Sequence, residues 1–492
     1  MSGLNVHARV VSQPTPPYHD TRIPRPADSD AFRAFMTTGW GRTEGHADVP
    51  AGAADSARRH RQQLSQHWPG HTIVVAGGGP VVRNADQHFY FRADSDFVWL
   101  TGCTEPGAAL VMRPTHDGHE SVLFLPRPWG PSDPGFYLDV VNGPLWVGPR
   151  ASLESWSEAL GIDVRPVDEL DAFVERLTRV RFAGDGAQVR QWGAGISDVV
   201  RESLATLRLV KDPWEVAQLR LAAEHTAEGF GAVAREFPAA VAGGGERWLQ
   251  GTFDRHARTL GNGPGYQSIV GSGSHAPVLH WTRATGQVRE GDLVLLDLGV
   301  EETTLYTADV TRTVPVNGEF TAAQRAVYDV VYASHLAALE ACGPGRTYAG
   351  YTDAAMGVLV DGLRDLGLLD VPRDVALSPQ GQQHRRYIVC GVGHHLGLDV
   401  HDCAHADYSD YQAADFAPGM VFTVEPGLYF HPSDLTVPEE LRGIGVRIED
   451  DVLITETGID VLSSGLPIDP DGLESWVGQQ LDGTAPPPFA GA

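Results

Sequence analysis

Lysine is almost missing from this chain: Lys211 is the only one among 37 basic residues, and 63 acidic residues leave a formal net charge of −26. So acidic a balance opposes non-specific contact with phosphate backbones or anionic lipid, which argues against nucleic acid and membrane surfaces as partners. Cysteine is scarce too. Cys103, Cys342, Cys390 and Cys403 contain no CxxC pair, which argues against a disulfide framework or a thiolate zinc site and fits a reducing compartment. No apolar run approaches the roughly 18 uninterrupted residues that a membrane helix needs. The first residues, MSGLNVHARVVSQPTPPYHD, lack a basic segment followed by an apolar core. These absences predict a soluble, cytoplasmic protein. What is present is 42% hydrophobic residues in 492, enough for sizeable cores and more than one domain.

Residues 1–53 are rich in Pro, Gly, Ser, Asp and His without a sustained period and read as a flexible extension, and residues 476–492 read as a flexible tail. Between 54 and 205, HTIVVAGG, FYFRADSDFVWLTG, GAALVMRP and SVLFLPR are short apolar runs bounded by turn residues, with helical segments such as SLESWSEALG among them. That pattern predicts an α/β domain. AGGGP at 76–80 could be a phosphate loop, but nothing after it opens a helix at the required spacing, and a strand-ending turn is the simpler reading. From 206 to 475 the character changes. Asp212, Pro213 and Glu215 form a capping-box-like start to a long amphipathic helix with Trp214 and Leu221 as core candidates. A second helix starts at Thr321, before Val327, Val331 and Leu339. Each is accompanied by a strongly β-patterned pair of strands, so the C-terminal half reads as helix plus hairpin, twice.

The hairpins carry acids where acids are expensive. A strand from Leu293 to Leu298 contains Asp297, and a second from Thr304 to Thr313 contains Asp309; an antiparallel pair can bring both to one face. In the second hairpin, GMVFTVEPGLYF places Glu425 and GIGVRIEDDVLIT places Glu449 inside apolar strands, with Arg447 two residues before Glu449 on the same face. Burying isolated carboxylates this way is costly, and metal coordination removes the cost. Four such acids can hold two divalent ions if a nitrogen ligand completes the set. CGVGHHLGLDVHD, residues 390–402, offers His394, His395 and His401; the plain alternative is a buried strand with chance polar neighbours.

In this order and context, Asp297, Asp309, His394, Glu425 and Glu449 resemble the metal ligands of the pita-bread metallopeptidases. HHLGLDVHD, VFTVEPGLY, VPEELRGIGVRIEDDVLITETG and, in the N-terminal half, RADSDFVWLTGCTEPGAALVM are most similar to the Xaa-Pro aminopeptidases (aminopeptidase P, family M24B). The resemblance spans about residues 55–475. It implies an α/β N-terminal creatinase-like domain plus an α+β C-terminal pita-bread domain, and an enzyme that removes the first residue of Xaa-Pro peptides. It also implies two divalent metal ions, manganese by preference for so oxygen-rich a set, with cobalt, zinc or iron as alternatives. A bridging water of lowered pKa would attack, with Glu425 taking and passing the proton. His280, in VLHWTR, and His401 would hydrogen-bond the substrate carbonyl as charge develops. Arg447 and Tyr429 would orient the carboxylates. His395 would stand in the pocket wall. Trp146, in PLWVGPR, would reach a neighbouring subunit in a homodimer or homotetramer.

Two positions depart from the family pattern. Cys390 and His395 stand where relatives usually carry a histidine and an aromatic residue, so the resemblance implies the mechanism more firmly than the specificity, and a weakened preference for proline at the second position is one expectation. A shift to Xaa-Pro dipeptidase or carboxypeptidase action is the alternative, and a non-catalytic binding protein on the same fold a remoter one. The segment DCAHADYSDYQAADFAP has no Arg or Lys to meet a substrate's C-terminal carboxylate, which favours the aminopeptidase reading; Arg442 is the nearest alternative.

Overall fold

The structure, a computed structural model, describes residues 29–41, 45–85 and 87–483. The chain divides into two compact units between Leu207 and Arg208. In the first, Thr72–Ala76 is an inner strand of a five-stranded sheet, parallel to the edge strand Val180–Gly184 on one side and antiparallel to the central strand Ala109–Thr115 on the other. Gly118–Leu125 and Asp163–Pro166 complete it. All five residues of Thr72–Ala76 are buried, as an inner strand covered on both faces requires. Its core joins Val74, Val111 and Phe124 to Leu170, Val189 and Trp192.

Three expectations need correction. SDFVWLT, read as strand-like, is the helix Ser95–Thr101, because the Asp94 carboxylate accepts from the Asp96 and Phe97 amides and Gly102 closes the end with a left-handed φ of 69°. Within the expected extension, of which 1–28 and 42–44 lie outside the described residues, Asp30–Met36 forms a helix capped by Ser29. Trp40 after it sits edge-on to Phe136 with ring centroids 5.0 Å apart. Within the expected tail, of which 484–492 lie outside the described residues, residues 476–481 end the helix Pro470–Leu481, which Asp469 caps and which buries Leu473 and Val477.

In the second unit both capping boxes form, at Asp212 for the helix Pro213–Arg235 and at Thr321 for Ala322–Ala341. The first helix buries Glu215, Leu219, Ala222, Ala223, Thr226 and Phe230. Leu221 falls off that stripe and is exposed, while Trp214 meets Tyr306 edge-on at 5.8 Å. Two antiparallel ribbons face these helices. Leu293–Leu298 pairs with Val310–Pro315, a shorter second strand than expected, because residues 304–309 form a turn and bridge ahead of it. In the other ribbon Val421–Val424 pairs with Asp450–Ile454 and Gly427–Tyr429 with Gly445–Arg447. Glu425 and Glu449, expected inside strands, occupy the break between these two ladders.

Candidate metal centre

The strand registers set the site. Asp297 lies opposite Thr311, Thr311 is bridged to Glu449, and the pairing of Val424 with Asp450 and of Gly427 with Arg447 puts Glu425 opposite Glu449. One cross-strand row, on one face, therefore carries three acids and a threonine. Asp309 stands two residues before Thr311, on the same side by the period of two. At the open pair the backbone bonds turn elsewhere: the Glu425 amide donates to Val392 O at 2.9 Å and the Glu449 amide to Thr311 O at 3.1 Å. The first of these bonds brings in the histidine segment. His394 exchanges bonds with Thr423, through its amide to Oγ1 at 3.1 Å and through its carbonyl to the Thr423 amide at 2.8 Å. Gly393 permits this approach, since a Cβ there would lie 2.1 Å from Thr423 O.

His394 presents its Nε2 3.3 Å from Asp309 Oδ2 and 3.6 Å from Glu425 Oε1. Its Nδ1 faces the His395 carbonyl at 3.2 Å, and a carbonyl only accepts, so Nδ1 carries a proton; Nε2 points at the acids and donates to them when the ring is charged. Asp309, His394 and Glu449 each offer a ligand atom within 4.8 Å of the others. All five predicted ligands line a single cavity of about 900 Å³, together with His280, His401, Cys390, Arg447, Tyr266 and His431.

Burial and mutual repulsion shape the charges. Burial first, then the neighbouring Asp309 and Asp297 charges, raise the Glu425 carboxyl to about 7 against the pull of His394 and Arg447. Burial also pushes Asp297 up, partly offset by Arg447, and pushes Glu449 well above the carboxylate range with help from Asp309, Glu425 and Asp297. His394 would be lowered by burial, but its bond to Asp309 and the charges of Glu425 and Asp309 outweigh this and lift it to about 9. Like charges directly opposite on a ribbon are destabilising, and cations between them reverse the sign. The donor set fits that use: Oδ1 of Asp297 is buried without a hydrogen-bond partner among the described residues, and the donors are hard carboxylate oxygens plus one imidazole nitrogen.

The surrounding contacts sort the other predicted residues. Arg447 bonds Asp297 Oδ2, and reaches the Tyr429 hydroxyl and Thr311 Oγ1, both at 3.0 Å. His401 lies edge-on to His394 with ring centroids 4.3 Å apart, and burial lowers its pKa. The next residue, Asp402, is buried against Lys211 at 3.0 Å and Arg208, and Lys211 is itself buried. Cys390 is half-buried in the cavity wall, its thiol pushed up by burial and then by Glu425. His395, expected in the wall, stands behind it: its ring packs on Tyr411, and Nε2 meets Tyr411 O at 3.1 Å. Trp146 belongs to the other unit, where it is mostly exposed and donates its indole N–H to Tyr137 O at 2.8 Å.

Three partners were not anticipated. The Tyr266 hydroxyl donates to Asp309 Oδ1 at 2.6 Å, Thr311 Oγ1 donates to Glu449 Oε2 at 2.6 Å, and the Asp451 carboxylate accepts the Asp309 amide at 3.2 Å. Thr311 was reachable from the sequence, because it follows Asp309 by two on one strand; Tyr266 carries no comparable signal.

Residues 217–456 match the family model of metallopeptidase family M24, and residues 57–181 that of the aminopeptidase P N-terminal domain. Xaa-Pro aminopeptidase 2 of Streptomyces coelicolor is 43% identical over 92% of this chain and 97% of its own length. The Xaa-Pro aminopeptidase of Escherichia coli is 34% identical over 85% and 96%. The structure of E. coli aminopeptidase P with the inhibitor Pro-Leu resembles this one with a TM-score of 0.77 at 33% identity, covering 87% of this chain and 99% of that one. With its acids and imidazole gathered in one cavity and relatives aligned along both units, the chain belongs to metallopeptidase family M24 and, within it, to the Xaa-Pro aminopeptidases, as a metallo-aminopeptidase.

Proposed function

We propose that the chain removes the N-terminal residue from peptides with proline in second position, using two divalent cations, manganese by preference, held by Asp297, Asp309, His394, Glu425 and Glu449. One observation supports this: four carboxylates and an imidazole face one cavity while Oδ1 of Asp297, buried there, has no hydrogen-bond partner among the described residues. Bound cations would supply Lewis acidity and a water of lowered pKa. The chain's own groups do the rest. Glu425, beside His394 in the break of the ribbon, takes the proton and returns it to the leaving amine. His280 and His401 donate to the substrate carbonyl as negative charge grows on its oxygen. Arg447, Tyr266 and Thr311 hold the carboxylates in place. A homo-oligomer is proposed from the resemblance around Trp146, and light scattering of the purified protein tests it.

The deciding experiment compares Xaa-Pro-Yaa, Xaa-Ala-Yaa and Xaa-Pro, with mass spectrometry identifying the end trimmed and elemental analysis the metal. We expect release of the first residue, fastest from Xaa-Pro-Yaa, about two ions per chain and loss of activity to a chelator that manganese reverses. Trimming from the C-terminus, or cleavage of Xaa-Pro alone, overturns the specificity. Cys390 in the wall is the reason to include the alanine peptide: little preference between Xaa-Pro-Yaa and Xaa-Ala-Yaa would assign the loss to that position, and Cys390→His should restore it.

A further inference from the structure

We infer that Glu246 is the positioning residue for His280, an inference that rests on reading His280 as a group facing the substrate. Glu246 stands in the first turn of the helix Gly245–Leu260 and is fully buried, outside the lining of the cavity. Each of its oxygens is used twice. Oε1 accepts from the Ser272 amide at 2.9 Å and faces His275 Nδ1 at 2.7 Å. Oε2 accepts from the Trp281 indole N–H at 2.8 Å and from the Gly286 amide at 2.5 Å. These four donors are spread along residues 272–286, the segment that leaves the strand Ile269–Ser272 and presents His280 to the cavity.

The same helix fastens that segment again. The Glu246 amide donates back to Gly286 O at 3.0 Å. Arg247 reaches Arg283 O at 2.8 Å, and Gln250 reaches Ser268 O at 2.9 Å and Thr282 O at 3.1 Å. Trp281, next to His280 in the chain, stacks on His275 at 3.8 Å, and the Arg283 guanidinium lies over the Trp281 ring, 4.6 Å from its centre. Gly286 leaves room for the carboxylate: a Cβ there would come within 2.6 Å of Oε1.

A carboxylate has about four lone-pair sites, and here four donors fill them. Displacing any one donor leaves a buried carboxylate oxygen short of a bond, which is expensive, so the four hold one another in place. His280 is thereby fixed through Trp281 by a side chain that never meets the substrate. The role is distinct from charge stabilisation, because it acts on where the imidazole points, and small errors of position cost rate.

Glu246→Gln tests it. The amide keeps the shape but turns one oxygen into a donor, so at least one of the fixed N–H donors of Ser272, Trp281 and Gly286 faces another donor whichever way it is placed. We expect kcat to fall about tenfold to a hundredfold with KM and metal content unchanged. The deciding measurement is the cycle with His280→Ala. Residues that act as one unit are non-additive, so the double variant should match His280→Ala within about twofold. Losses that multiply, or an unchanged kcat in Glu246→Gln, overturn the proposal. If Glu246→Gln does not fold, Trp281→Phe, which deletes a single donor and keeps a ring on His275, enters the same cycle with the same two outcomes and a smaller loss, about threefold to tenfold. An unimpaired His280→Ala overturns the role of His280, and the proposal with it. An impaired His280→Ala combined with independent losses overturns the proposal alone.

Discussion

Glu425 and Glu449 face each other across the open pair of a ribbon, with Asp309 close by, and that crowding sets what single substitutions should do. Asp309→Ala removes an acid that two neighbours hold, Tyr266 and His394, on a residue whose amide Asp451 also fixes. Turnover should drop to background and added manganese should not restore it; near-parental turnover would take Asp309 out of the ligand set. His401→Ala deletes one donor to developing charge, for which a fall of roughly 10²–10³ in kcat is expected, and unchanged kinetics would return that ring to a structural role. Thr311→Val removes the hydroxyl that orients Glu449 and should weaken metal affinity or activity about 10–100-fold, read by titrating the metal-free protein. The ligand acids were legible in the sequence because a carboxylate in an apolar run needs a reason. Neutral hydroxyls carry no such cost, so Tyr266 raises no question, and Thr311 shows only through its place two residues after Asp309. Nor does a sequence show where a ladder changes partners, which is why Glu425 and Glu449 were read as lying inside strands.

Among the elements, the helix Pro213–Arg235 has the clearest start, with Asp212 accepting from Trp214 and Glu215 while Glu215 reaches back to the Asp212 amide. Asp212→Ala should cost about 1 kcal/mol of stability, seen as an earlier urea midpoint with the slope unchanged. A change below a few tenths would mean that packing alone fixes the helix start. That element could be read from its residues because the cap, the proline and the acid all fall within four positions. Ser95–Thr101 could not be read so directly. Its residues Phe97, Val98 and Trp99 favour strands by composition, and only the Asp94 cap and Gly102 mark it as a helix. Leu221 illustrates the limit from the other side: the apolar positions of a long helix identify the stripe, but a leucine one place off it is exposed.

For the molecule as a whole, two linkages follow. Chelation should lower the thermal midpoint and a divalent cation should restore it in proportion to the logarithm of its concentration, because a ligand bound only by the folded state stabilises it. Asp402 governs part of the acid limb. Burial would raise its carboxyl, but Arg208 and Lys211 outweigh this and hold it well below the usual range. A depressed acid contributes stability that is complete above its ordinary value of about 3.9 and is lost as pH falls below it. Asp402→Asn should therefore lower the midpoint at neutral pH and flatten its decline below about pH 4; an equally steep decline would place the acid sensitivity elsewhere. The same ion pair has a practical side. Lys211 is the chain's only lysine, and its amine lies buried against Asp402. Acylating reagents that seek side-chain amines find no target on the native surface, so any label that mass spectrometry detects at Lys211 records a moment when the C-terminal unit had opened.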